Sequence, residues 1–147
     1  MCLDVRITCT CGKHTVQMHL RDNVMTREVL VALFCPQCSR GVAMDGQTTL
    51  NDNDWVIQYD LDLARFLAAA RLQLPPDAVD PAFLFDSGYA TWQEMYPGEQ
   101  HDILAERREI MALLAADPAG YLRQISSWNI ARVEQLKADG WRKARNA

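Results

Sequence analysis

The chain has 147 residues, of which 49 % are apolar and 23 % charged, with a formal net charge of −4. That length fits one domain or two small ones with enough apolar side chains for a core, and the acidic balance argues against a general nucleic-acid coat or a polybasic membrane binder. The charge is uneven: residues 1–60 carry −2, residues 61–100 carry −4, and residues 101–147 carry +2.

Leu3, Val5, Ile7 and Cys9 alternate with Asp4, Arg6 and Thr8, the period of a half-buried strand. A second alternation places Val16, Met18 and Leu20 on one face and Thr15, Gln17 and His19 on the other. The run from Val29 to Phe34 is apolar without alternation, which predicts a strand covered on both faces, or a short helix capped by Thr26. Asp45-Gly46 reads as a hairpin turn, and Trp55, Ile57 and Tyr59 mark a further strand.

The pattern changes near residue 60. Leu61, Ala64, Leu67, Ala68 and Leu72 recur at helical spacing up to Pro75-Pro76. Residues 75–100 read as irregular and rich in aromatics, with Phe83, Phe85, Tyr89, Trp92 and Tyr96. A second helix is predicted from about His101 to Ala116. A third opens on the Asp117-Pro118 cap and stops at Gly140, with Leu122, Ile125, Val133 and Leu136 as its apolar stripe. The expected fold class is α+β: a cysteine-bearing module of short antiparallel strands over residues 1–60, followed by a helical part of about three helices over residues 61–147 packed on it.

The chemistry concentrates in Cys9-Thr10-Cys11-Gly12 and Cys35-Pro36-Gln37-Cys38, with 23 residues between Cys11 and Cys35. Zinc takes four thiolates in a tetrahedron at about 2.3 Å each. Residues i and i+2 of an extended chain face one way, so Cys9 and Cys11 converge. Pro36 sets a turn that returns Cys38 to Cys35, and Gly12 and Gly41 free the backbone beside the metal. Four thiolates around Zn²⁺ leave a charge of about −2, which Lys13 and Arg40 partly offset. Such a ligand set is closed to water and substrate, which makes the expected role structural.

Over residues 1–60 this arrangement resembles the zinc-ribbon, or rubredoxin-like, class, in which two cysteine knuckles on adjacent hairpins clamp one metal. The first knuckle departs from the usual CxxC by one residue, and a glycine follows Cys38 at a distance of three. Iron is the rival metal, since rubredoxins hold it between similar knuckles.

The remaining features are weaker. Cys2 is a spare thiol, His14 sits near the first knuckle, and His19 and His101 read as ordinary polar residues. Asp86, Glu94, Glu99 and Asp102 with His101 show no spacing that marks an acid–base site. Trp128 and Trp141 lie among Arg132, Lys137, Arg142, Lys143 and Arg145 in a mildly basic end. The N-terminus has no secretory pattern and no apolar run is long enough to span a bilayer, so the expectation is a cytoplasmic protein with reduced thiols and no membrane partner. The sequence therefore reads as a non-enzymatic zinc-ribbon protein that binds another protein. A nucleic-acid-associated regulator and an iron-bearing or dithiol redox protein stand as alternatives.

Overall fold

The computed structural model describes residues 2–42, 45–93, 96–97 and 100–142. The architecture is mixed α+β. Among the described residues, six short strands form two three-stranded antiparallel sheets, and five helices accompany them, three of more than seven residues. The chain divides into two compact units, Met1–Glu94 and Met95–Ala147. The switch from strand to helix at residue 60 lies inside the first of them.

The first sheet has the order β1-β2-β6, from β1 (Cys2–Thr8), β2 (Thr15–Arg21) and β6 (Ala90–Trp92). The two alternating runs near the N-terminus pair with each other, Leu3 opposite Leu20 and Val5 opposite Met18. Their apolar positions Val5, Val16, Met18 and Leu20 are buried, as a half-buried strand requires. The second sheet has the order β3-β5-β4, from β3 (Leu30–Phe34), β4 (Thr49–Asp52) and β5 (Trp55–Tyr59).

Several expectations need correction. The apolar run 29–34 is not a strand covered on both faces. Arg27–Val29 forms a 3-10 turn after Thr26, and β3 is an edge strand that buries Leu30 and Leu33 but exposes Val31. Asp45-Gly46 does turn the chain, with Asp45 Oδ1 accepting from the Gln47 amide at 2.8 Å, but it precedes β4. The hairpin reversal is Asn53-Asp54, between the paired residues Asp52 and Trp55. Both central residues are left-handed (φ 52° and 67°), the geometry of a two-residue I′ turn, which Asn and Asp tolerate.

Residues 75–100 are not irregular in their described part. A 3-10 turn (Pro76–Ala78) leads to α3 (Pro81–Asp86), whose cap Asp80 accepts from the Phe83 amide at 2.7 Å. Strand β6 then joins β2, with Met18 opposite Trp92. Trp92 links the two sheets, because its Nε1 donates to the buried Asp52 of β4 at 2.8 Å. Tyr59 of β5 does the same from the other side, its hydroxyl donating to Ala90 O at 2.7 Å. Phe85 packs edge-on against Trp92 with ring centroids 5.9 Å apart. The aromatics Phe85 and Trp92 thus belong to the core rather than to a surface patch.

Helix α2 (Leu61–Leu72) starts where the spacing predicts, with Asp60 Oδ1 accepting from the Leu63 amide at 3.0 Å, and ends on left-handed Gln73 before the prolines. It buries Leu61, Ala64, Leu67 and Ala68. Two of its arginines hold loops in place: Arg65 donates to Val79 O and Arg71 to Val24 O. Helix α1 (Pro36–Arg40) belongs to the site below.

The second unit is a pair of helices, α4 (Gln100–Met111) and α5 (Pro118–Asp139). Helix α4 ends about a turn short of the predicted Ala116, giving way to a turn over residues 112–116. The predicted cap and stop of α5 are present: Asp117 Oδ1 accepts from the Gly120 amide at 3.0 Å, and Gly140 is left-handed at φ 92°. A Cβ at Gly120 would run into the Asp117 carboxylate, which would then have to leave its capping position. Of the apolar stripe on α5, Leu136 is buried, Ile125 and Val133 are half-buried and Leu122 is exposed. Within this unit Tyr96 and Trp141 stack at 5.3 Å.

Candidate metal centre

The cysteines meet because of how β1 and β3 end. Cys9, one residue beyond β1, forms a parallel bridge with Leu33 of β3, and the Thr10 amide donates to Leu33 O at 3.2 Å. Cys35 follows Leu33 by two residues, so this bridge delivers both chains to one place.

The first knuckle is the β1–β2 hairpin loop. Cys9 N–H donates to His14 O at 2.8 Å, and Gly12 N–H donates back to Cys9 O at 2.8 Å, so Thr10 and Cys11 are the centre of a tight turn. This corrects the extended-chain account of Cys9 and Cys11: they converge by a turn, not by strand alternation. Gly12 sits at φ +76°, a conformation that suits glycine.

The second knuckle is the N-terminus of α1. Cys35 is its cap residue and Pro36 its first helical residue, whose fixed φ suits that position. Cys38 comes back toward Cys35 one turn later. The knuckle is tied to the β4–β5 hairpin by Ser39 Oγ, which donates to Asp54 O at 2.8 Å. Gly41 has an ordinary φ of −93°, so no left-handed backbone demands a glycine there, contrary to the expectation.

The four sulfur atoms lie within 4.8 Å of one another. Cys9 Sγ is 3.5 Å from both Cys11 Sγ and Cys38 Sγ. Four sulfurs at about 2.3 Å from one ion would be separated by about 3.8 Å, so this set is close to what a tetrahedral metal requires. Cys9 and Cys35 are buried, Cys38 is half-buried and Cys11 is exposed. The cluster therefore has an inner pair and an outer pair.

Cys9 is the hub. Burial opposes its charge, but backbone N–H groups of Cys11 and Cys35 and the thiols of Cys11 and Cys38 point at its sulfur and lower its pKa to about 6. The Cys35 amide lies 3.1 Å away. The same arrangement acts oppositely on Cys38, whose thiol is pushed up to about 12, first because it bonds to the Cys9 sulfur. A thiolate ringed by donors beside three further sulfurs is an arrangement that could hold a metal ion.

No protein-family model, no curated protein and no solved structure matches this chain. The site thus rests on its own geometry.

Other candidates fall away from it. His14 is exposed and packs edge-on against Trp55 at 5.8 Å, while its carbonyl holds Cys9. Cys2 is an exposed thiol at the far end of β1. His19 lies in β2 opposite Asp4 and Thr91. Lys13 and Arg40 are exposed, each two residues beyond a knuckle cysteine. Asp86 is exposed at the end of α3, whereas Glu94, Glu99, Lys143, Arg145 and the side chains of His101 and Asp102 lie outside the described residues. Among the described residues no helix is long and apolar enough to cross a membrane. Sequence reasoning missed the supporting residues Leu33 and Ser39. Their signal was positional: one sits two residues before the second knuckle, the other directly after it.

Proposed function

We propose that Cys9, Cys11, Cys35 and Cys38 hold one Zn²⁺ as a structural, zinc-ribbon-like site, and that the protein is a non-enzymatic module binding another protein. The observation that carries the metal half is the approach of the four sulfurs to within 4.8 Å of one another. Four thiolates suit zinc and fill its coordination sphere, so zinc here would brace the two knuckles rather than activate water. The binding half rests on the closed ligand set and on apolar side chains left exposed on the second unit. Reduced thiols fit a reducing compartment such as the cytoplasm.

The deciding experiment is metal content per chain with an absorption spectrum, on protein purified without added metal. About one zinc per chain, whose removal by a chelator lowers the midpoint of unfolding, is the expected result. Bound iron with a coloured spectrum would replace this reading with an electron-transfer one. Absence of any metal would overturn it.

A further inference from the structure

The four sulfurs of the metal centre differ in how far a solute reaches them. Cys9 and Cys35 are buried (2 % and 0 % exposed), Cys38 is half-buried, and Cys11 is the exposed member of the set. Cys11 stands in a run of exposed residues from Thr10 to Thr15 at the tip of the β1–β2 hairpin. A thiol that ligates a metal is held as the thiolate, and oxidation of thiolates follows their access to solvent. A small oxidant therefore meets Cys11 first. Directly behind it, 3.5 Å away, lies the sulfur of Cys9. The two belong to one tight turn, closed by the Gly12 amide on Cys9 O at 2.8 Å. Their sulfurs have to close to about 2.05 Å to form a disulfide, a movement inside one hairpin loop. Cys38 is equally near Cys9 at 3.5 Å, but it is less exposed and sits on the other knuckle.

We propose that the four-cysteine site is a peroxide-responsive switch, in which oxidation at the exposed Cys11 closes a Cys9–Cys11 disulfide and releases the metal. The switch rests on the zinc reading above and adds regulation to it. In the first step the Cys11 thiolate attacks one oxygen of hydrogen peroxide: the S–O bond forms, the O–O bond breaks and hydroxide leaves, giving a sulfenic acid. In the second step the Cys9 thiolate attacks the Cys11 sulfur: the S–S bond forms, the S–O bond breaks and a second hydroxide leaves. Two thiolates have then given two electrons to one peroxide. Cys35 and Cys38 remain as the only thiolates of the set, too few for a four-coordinate zinc site. The Cys35 amide, 3.1 Å from the Cys9 sulfur, also loses its charged acceptor, so the tie between the two knuckles weakens with the same event. A dithiol reductant restores both thiolates by exchange through the disulfide, and with them the site.

The test treats the full zinc-loaded chain with hydrogen peroxide in small excess and follows zinc release with a chromogenic chelator. The chain carries Cys2→Ser, since Cys2 is an exposed thiol outside the site that would consume peroxide itself. The disulfide is then located by trypsin after alkylation of the remaining thiols. Cleavage after Arg6, Lys13, Arg27 and Arg40 puts Cys9 and Cys11 alone in residues 7–13 and Cys35 and Cys38 alone in residues 28–40. The expected result is one zinc released per disulfide, the disulfide within residues 7–13, and recovery of zinc binding with a dithiol. Cys11→Ser, holding zinc through its other three cysteines, should lose the release over the time in which the parent is emptied. Zinc that stays bound under peroxide overturns the proposal. So does a first disulfide within residues 28–40 or between the two peptides, or a Cys11→Ser chain that empties as fast as the parent. The peptide map of the parent decides even if Cys11→Ser fails to fold. Each of these failures, with one zinc per chain before peroxide, leaves the metal reading standing, whereas a chain with no zinc at the start sinks both.

Discussion

The inner and outer cysteines should not be equivalent, and replacing each with serine separates them. In Cys11→Ser the lost ligand is exposed, so a water molecule can complete the tetrahedron, as in three-ligand zinc sites. In Cys9→Ser the lost atom is buried and accepts the Cys35 amide at 3.1 Å. A serine oxygen at that place is a poor zinc ligand, and water has no path to substitute for it. The amide keeps at best a weaker partner. A hydrogen bond to a charged group is worth about 1.5–3 kcal/mol, and this loss comes on top of the missing ligand. Cys9→Ser should therefore bind zinc about 100-fold more weakly than Cys11→Ser, a difference of roughly 3 kcal/mol. Competition against a chromophoric chelator at pH 7.5 measures both constants. Equal weakening in the two variants would refute the idea of a hub ligand.

Three further outcomes follow from the geometry. Cys9, with its pKa lowered to about 6, is a thiolate above that pH and a thiol below it; zinc uptake at pH 5 should therefore release about one more proton than at pH 7.5, read by calorimetry in buffers of different ionisation enthalpy, and equal release would contradict the assignment. Asp54→Gly should raise stability by about 0.5–1 kcal/mol, because glycine fits the second position of the I′ turn and the Asp54 contacts to Ser39 and Asn51 use its backbone; a lowered denaturation midpoint would count against that turn. Trp92→Phe removes the indole donor from buried Asp52 and should cost about 2–4 kcal/mol in urea unfolding, whereas a loss below about 1 kcal/mol would mean that Trp92 does not bridge the sheets.

What the sequence disclosed depended on how local the cause was. Period-two patterns placed β1 and β2, and Asp117 and Gly140 marked helix ends because capping acts over three or four residues. The cysteine pairs were legible for the same reason: each knuckle assembles within four residues. Strand β6 was not legible. Its three residues show no periodicity, and they become a strand only because β2, some 70 residues earlier, offers them an edge. Strand β4 was hidden by polarity, since Leu50 stands among Thr49, Asn51 and Asp52, and Asp52 is buried by a tryptophan far along the chain. The outward direction of Leu122 could not be read either, because a helical stripe tells which residues share a face and not what that face meets.

The late arrival of β6 has a consequence for how the chain acquires its structure. Both knuckles are present once residue 38 has been made, and the loop they close is short. Closing a short loop is entropically cheap, so the four-cysteine end can assemble while most of the chain is still being synthesised. The first sheet, in contrast, keeps the edge of β2 open until residues 90–92 arrive, and Asp52 has no indole to meet until then. Through that interval the nascent chain exposes an unpaired strand edge, the kind of surface on which chains aggregate. Release of the last strand from the ribosome is thus the step that seals the first unit.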